Sequence, residues 1–176
     1  MRHPNSSPIH KMKRHGLEKT GFEILELLWS YYLLRQEPEV SDDPVSNLRS
    51  MKIIQLLHND IILRLCKFRD KDPRSLSFDQ LLKQEKKSND NSNSKLKTLT
   101  DRVKKYRDLT KNIENHRESY VAHLSKRGNE HLKPLAELQE AIKLALELTD
   151  DFWGEENQYK IEGVDLRIIL NRNNAA

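Results

Sequence analysis

Residues 94–127 read SKLKTLTDRVKKYRDLTKNIENHRESYVAHLSKR, and this stretch decides the fold class. Its inward-facing positions recur at alternating steps of three and four, which is the spacing of a helix packed lengthwise in a bundle. The stripe consists of Leu96, Leu99, Val103, Tyr106, Thr110, Ile113, Arg117, Tyr120 and Leu124. The sequence therefore predicts one long helix from Ser94 to about Lys126, before Gly128.

Other segments also show helical spacing and helix boundary signals. The chain has only five glycines and six prolines in 176 residues, which favours helices over a turn-rich sheet protein. We therefore predict an all-α bundle of about five helices, with a short closing helix within 164–170. Besides the long helix, the predicted helices are Leu17–Gln36, Val45–Phe68, a short helix from the Ser77–Gln80 capping box to about Lys86, and Pro134–Asp151.

Composition bounds the domain organisation and the environment. Residues 1–16 are predicted as a flexible basic tail, residues 17–170 as one helical domain, and residues 171–176 as a C-terminal tail. The net charge of +4 permits contact with nucleic acid without demonstrating it. A single cysteine, Cys66, excludes an intramolecular disulfide and suits a reducing compartment. With no secretory leader or membrane span in the sequence, we expect a cytoplasmic protein with no membrane contact.

The last third of the long helix replaces apolar residues with chemically active ones. Arg117 falls on the inward stripe, where a guanidinium is costly unless it is paired. Beside it, steps of four, three and four place His116, Tyr120, His123 and Arg127 on one ridge of the helix. His123 adds an imidazole that titrates near neutral pH. Arg117 and His123 are the candidate catalytic residues, and the other three are candidate phosphate or RNA contacts.

Structural explanations compete with this interpretation. Arg117 can instead pair with a carboxylate of a neighbouring helix, with Asp60 and Asp70 as the candidates. His123 can be a helix-end histidine favoured by the negative end of the helix dipole. A metal site is not expected, because His116 and His123 lie roughly 10 Å apart along the helix and no cysteine or aspartate nearby completes a ligand set. No cofactor is expected either.

RNA cleavage needs a base for the 2′-hydroxyl, a cation for the phosphorane and an acid for the leaving 5′-oxygen. Arginine binds phosphate through a bidentate fork, and histidine transfers protons near neutral pH. Because one histidine is few for two proton transfers, a symmetric homodimer with facing fourth helices is the natural architecture.

The Arg-x5-His spacing of Arg117 and His123, late in a long helix of a helical bundle, resembles the R-x(4–6)-H motif of HEPN domains. Residues 61–82 and the segment Tyr120-Val121-Ala122-His123 resemble the AbiU-type abortive-infection branch. The resemblance implies an up-and-down antiparallel bundle that dimerises. For active members it implies a metal-independent endoribonuclease that leaves 2′,3′-cyclic phosphate ends, with Arg117 on the scissile phosphate and His123 as base or acid.

The resemblance also implies a role in phage defence or a toxin–antitoxin system, with an antitoxin or a nucleotidyltransferase as partner. One position departs from the pattern, since Glu118 stands where active members often have a small polar residue or a histidine. The alternative function is a non-catalytic HEPN-fold module that binds a partner protein or a nucleotide. A structural helical protein with a salt-bridged Arg117 is the third reading.

Overall fold

Helix start and stop signals set the element boundaries in a computed structural model of the chain, which describes residues 8–37, 43–70, 77–88, 93–117 and 133–171. Within these ranges the chain forms seven helices and one small hairpin. In chain order they are α1 (Pro8–Gln36), α2 (Pro44–Lys67), α3 (Phe78–Ser88), α4 (Asn93–Leu109), α5 (Lys111–His116), α6 (Leu135–Trp153), β1 (Lys160–Ile161), β2 (Val164–Asp165) and α7 (Leu166–Asn171).

Local capping explains where the main helices begin and end. The Asp43 carboxylate accepts hydrogen bonds from the backbone N–H groups of Val45 and Ser46, and Pro44 occupies the first turn of α2. At the other end of the bundle, Gly154 adopts a left-handed conformation with φ of 85° and terminates α6. The predicted Ser77 cap is also present, because its hydroxyl and carbonyl both accept from the N–H of Gln80.

The prediction of about five helices needs correction at Thr110. Its hydroxyl donates to the carbonyl of Tyr106 at 2.6 Å, and its side chain is fully buried. The backbone of Thr110 has φ of −87° and ψ of 3°, which lies outside the α-helical region, so the regular helix is interrupted at this residue. The inward stripe continues through the break, with Leu99, Val103 and Ile113 all buried. The predicted long helix is therefore two helices, α4 and α5, in the described part of the chain.

The N-terminal boundary also differs from the prediction of a flexible tail over residues 1–16. Helix α1 begins at Pro8, a residue suited to a first turn, so residues 8–16 are helical. A Cβ added at Gly16 would lie 3.5 Å from side-chain atoms of Leu81 and Gln84, which places this turn of α1 against α3. Residues 1–7 and 172–176 lie outside the described ranges.

The core sits where α1 meets the other helices. Helix α1 packs against α2, α3, α6 and α7, while α4 packs against α3 and α6, and α5 packs against α2. Cys66 on α2 is buried in this core, as predicted. Four aromatic rings, defined here as the aromatic cluster, join four parts of the chain: Phe78 stacks on Phe68 and Phe152 and meets Tyr106 edge-on.

The C-terminal closure is more elaborate than the short helix predicted within 164–170. Strands β1 and β2 form an antiparallel pair with Ile161 opposite Val164, and α7 follows directly. The Arg167 guanidinium donates to the Asp150 carboxylate and to the Asn157 carbonyl, both at 2.8 Å. These bonds tie α7 to the end of α6. None of the helices described combines the length and apolar character needed to cross a bilayer.

Candidate functional site

The predicted inward position of Arg117 is supported by the burial of the residues that precede it on the stripe. Tyr106, Thr110 and Ile113 are fully buried, and Arg117 itself is half-buried. Arg117 keeps helical backbone angles (φ −56°, ψ −46°), and its N–H donates to the carbonyls of Ile113 and Glu114. The guanidinium-bearing residue therefore lies at the edge of the core, where α5 ends.

The structure describes little of the other predicted site residues. His116 ends α5, but its side chain lies outside what the structure describes. Tyr120, His123 and Arg127 fall within residues 118–132, which are also outside the described ranges. The ridge formed by these residues and the separation of Arg117 from His123 remain predictions.

Arg117 lines a polar pocket of about 290 Å³, called the Arg117 pocket below. The end of α2 and the turn that follows it form one wall, and α4 and α5 supply the other. Its lining residues are Cys66, Arg69, Asp70, Arg107, Glu114 and Arg117. Three arginines and two acidic residues thus line the pocket, and a third carboxylate, that of Asp79, lies 3.7 Å from Arg107.

Hydrogen bonds and burial distinguish the arginines in this pocket. Arg69 is 12% exposed, and its Nη2 lies 2.9 Å from an oxygen of Glu114. Its Nη1 is buried and has no hydrogen-bond partner among the described residues. Arg107 is 44% exposed, and its Nη1 lies 3.7 Å from the Asp79 carboxylate, too far for a hydrogen bond. Arg107 therefore retains donor capacity toward an anion, whereas Arg69 is held by Glu114.

Tyr106, which precedes the lining residue Arg107, joins α4 to the end of α2. Its hydroxyl donates to the Leu65 carbonyl at 2.8 Å, in the last turn of that helix, where carbonyls lack regular helical partners. The N–H of Arg69 bonds to Cys66 rather than to Leu65, so the tyrosine hydroxyl provides a donor there. Burial raises the pKa of Tyr106 well above its ordinary value, which keeps the hydroxyl protonated as a donor.

The two carboxylates considered as partners for Arg117 lie in different places. Asp70 lines the same pocket as Arg117. Asp60 instead accepts hydrogen bonds from Ser30 at 2.7 Å and from Arg64 Nε at 2.8 Å. Of the two alternatives for a structural ion pair, the arrangement therefore retains Asp70 and argues against Asp60.

Asp60 belongs to a second ionic group on α1 and α2, called the Arg64 cluster below. Arg64 contacts Glu23 at 3.0 Å, Glu26 at 3.4 Å and Asp60 at 2.8 Å. Lys67 also pairs with Glu23. Burial alone would lower the pKa of Arg64, but its hydrogen bond to the Asp60 carboxylate and the charges of Asp60, Glu23 and Glu26 raise it overall. Here carboxylates outnumber cations, so this cluster joins α1 to α2 rather than presenting positive charge.

The sequence interpretation did not identify Arg69 and Arg107 as site residues. Arg69 belongs to the charged segment 69–74, which reads as a solvated turn, and Arg107 lies off the apolar stripe of α4. No local spacing connects these positions, because the pocket forms only when α2 packs beside α5. No three histidine, cysteine or acidic side chains converge as metal ligands within the described ranges.

The helices of the described ranges make the molecule an all-α protein. A family model named HEPN_AbiU2, with the description AbiU2, matches residues 15–161. The chain therefore belongs to the AbiU2 family of HEPN domains. Comparison with curated proteins and with solved structures gave no match.

Proposed function

We propose that the protein is a metal-independent endoribonuclease acting in abortive infection or a related phage-defence or toxin–antitoxin system. The observation that carries the proposal is the placement of Arg117, the first residue of the Arg-x5-His motif, in a pocket lined by two further arginines. Membership of the AbiU2 family supports the biological setting. The expected location remains the cytoplasm.

The proposed reaction assigns one role to each motif residue. His123 removes the proton from a ribose 2′-hydroxyl, whose oxygen attacks the adjacent phosphorus. Arg117 binds the non-bridging oxygens and stabilises the charge of the phosphorane. The bond from phosphorus to the 5′-oxygen then breaks, and a protonated histidine supplies the proton to the leaving oxygen. The products are a 2′,3′-cyclic phosphate and a 5′-hydroxyl, with no oxidant or metal required.

A homodimer completes this proposal. Two subunits would contribute two copies of Arg117 and His123, so that one histidine acts as base while the other acts as acid. Tyr120, His116 and Arg127 would contact the RNA strand beside the cleft. Sedimentation of the purified protein should therefore show a dimer at the concentrations at which it cleaves RNA.

The test is cleavage of mixed RNA in EDTA by the wild-type protein and by His123→Ala. We expect cleavage by wild type alone, with product ends that a cyclic-phosphate-specific ligation detects. Lys105→Gln, an exposed substitution on α4, serves as the control for a general loss of charge. Equal cleavage by His123→Ala would show that a contaminating nuclease or another residue does the chemistry.

A non-catalytic interaction module is the second candidate, and two observations favour it. Asp70 and Glu114 lie in the Arg117 pocket and compete with phosphate for its guanidinium groups. Helix α2 also exposes Val45, Leu48 and Leu56, each at least 60% accessible, as contacts for a partner protein such as an antitoxin or a nucleotidyltransferase. Retardation of RNA, or capture of a nucleotide, without any cleavage would favour this candidate.

A further inference from the structure

We infer that Arg69 and Arg107 form, together with Arg117, a phosphate-binding subsite for the RNA backbone, and that Glu114 occupies part of this subsite when no RNA is bound. The inference rests on the proposed function, because it names residues beyond the Arg-x5-His motif that hold the same substrate. Neither Arg69 nor Arg107 belongs to that motif, and both come from other helices or turns of the bundle.

The argument begins with the hydrogen-bonding state of Arg69. Its side chain is 12% exposed, and its Nη2 lies 2.9 Å from a carboxylate oxygen of Glu114. Its buried Nη1 has no hydrogen-bond partner among the described residues. Arg69 is therefore held through Nη2, and a phosphate oxygen that replaces Glu114 would bind that same nitrogen.

Arg107 approaches from the opposite wall with a different exposure. It is 44% exposed, and its contact to Asp79 is a long ion pair of 3.7 Å. An exposed pair of this kind contributes little stability, so exchanging Asp79 for a phosphate oxygen costs little. Planar guanidinium groups bind phosphate oxygens in a bidentate way, which suits recognition of a backbone rather than a base.

The three arginines of the pocket identify the class of ligand. Asp70 and Glu114 line the pocket with them, and Asp79 lies 3.7 Å from Arg107, so a phosphodiester binds here by replacing a carboxylate. The shared chemistry is a phosphate group, which either an RNA strand or a free nucleotide supplies.

Glu114 acts as the internal competitor in this arrangement. Its carboxylate holds Arg69 and is one-third exposed, so it can be displaced into solvent. Because it lies three residues before Arg117, on the same helix α5, its release frees Arg69 beside the motif arginine. Removing its charge should therefore strengthen phosphate binding rather than weaken it.

The experiment measures binding of a labelled single-stranded RNA oligonucleotide in the His123→Ala background, which prevents cleavage. Arg107→Gln should weaken binding by about fivefold and reduce the slope of log K against log salt by about 0.7, the contribution of one phosphate contact. Lys105→Gln is the matched control, since it removes the same charge from the same helix on the opposite side and should change binding less than twofold.

Glu114→Gln tests the competitor in the opposite direction. It should strengthen RNA binding several-fold, whereas Glu140→Gln, an exposed change of equal charge on α6, should not. Arg69→Lys keeps the charge but loses the bidentate fork, so binding should fall even though the net charge is unchanged. Thermal melting of each variant identifies any that fail to fold, and Arg107→Gln then carries the test because its side chain is exposed.

The outcomes separate this inference from the proposed function. Equal losses in Arg107→Gln and Lys105→Gln, with cleavage by the wild type intact, would overturn the subsite and leave the nuclease standing. Loss of binding in Arg107→Gln alone, with no cleavage by the wild type, would support the subsite and overturn the nuclease. A third outcome is displacement of RNA by ATP or inorganic phosphate at concentrations far below those at which ionic strength alone would release it. In that case the pocket binds a free nucleotide and the assignment to RNA fails.

Discussion

Arg64 lies in the last turn of α2 and Arg69 two residues beyond the helix, yet they belong to two different ionic groups. Arg64 contacts three carboxylates from two helices, and a lysine joins the same cluster. Arg69 contacts one carboxylate and shares its pocket with two further arginines. The Arg64 cluster joins α1 to α2, and its carboxylates outnumber its cations. Arg69 instead lies with Arg107 and Arg117 in the pocket for which we propose phosphate binding.

The sharpest test of this comparison is the effect of each arginine on cleavage. Arg117→Ala should lower the rate of RNA cleavage by about 10²–10³-fold, because it removes charge stabilisation at the phosphorane. Its free energy of unfolding should change by less than about 1 kcal/mol, since the side chain is only half-buried. Cleavage rates and urea unfolding of the same preparation measure both effects. A destabilised Arg117→Ala with unchanged cleavage would place Arg117 among the structural arginines.

Arg64→Ala should show the reverse pattern. Removing this guanidinium leaves Glu23, which is 13% exposed, and Asp60 close together without their main cation, so we expect a loss of about 2 kcal/mol in the free energy of unfolding. Cleavage at low temperature, where the variant stays folded, should be retained. Lys67→Ala is the matched control, and its loss should be below about 1 kcal/mol because that lysine is half-exposed.

Tyr106→Phe tests how much the hydrogen bond from the Tyr106 hydroxyl to the Leu65 carbonyl contributes to stability. The substitution removes the donor to the Leu65 carbonyl, which should cost about 1 kcal/mol in urea unfolding. Because the end of α2 carries Arg69, RNA binding should also weaken by roughly twofold, a small change expected from a slight loss of positioning. An unchanged free energy of unfolding would show that Leu65 finds another donor.

The smallest effect under ordinary conditions concerns alkaline pH. Burial raises the pKa values of Tyr106 and Tyr159 above the ordinary tyrosine value. The unfolded chain ionises tyrosine near pH 10, whereas the folded chain keeps both hydroxyls protonated to higher pH. This contribution to stability is therefore fully present below about pH 10 and declines as the pH rises through the higher pKa values of the folded state.

Urea titrations at pH 8 and above pH 10 measure this decline. A Tyr106→Phe, Tyr159→Phe variant should lose less stability between the two pH values than the wild type. Identical losses would mean that other groups govern alkaline unfolding.

The helical class and much of the core could be predicted because their cause is local. The stripe from Leu99 to Ile113 repeats at helical spacing, and those side chains are buried as the pattern predicts. The break at Thr110 could not be predicted in the same way, because Thr110 keeps the inward spacing although its backbone angles leave the helical region. Periodicity reports which face is buried, but it does not report a local interruption of the backbone.

Of the arginines that line the Arg117 pocket, only Arg117 could be predicted as a site residue from the sequence. It could be identified because it stands at a position of the buried stripe where an apolar residue is expected. Arg69 and Arg107 violate nothing locally, since each belongs to a segment rich in charged residues. Their shared pocket depends on the packing of α2 against α5, which brings together residues more than 40 positions apart in sequence.

Two members of the aromatic cluster directly precede, in the sequence, residues that line the Arg117 pocket, and this has a consequence for anion binding. Phe68 precedes Arg69 directly, and its ring stacks on Phe78 at 4.9 Å, while Phe78 meets Tyr106 at 5.0 Å. Main-chain positions on both walls are thus fixed by close ring packing before any phosphate arrives. The entropy lost on binding the proposed phosphate would fall chiefly on the arginine side chains, because the backbone that carries them is already ordered.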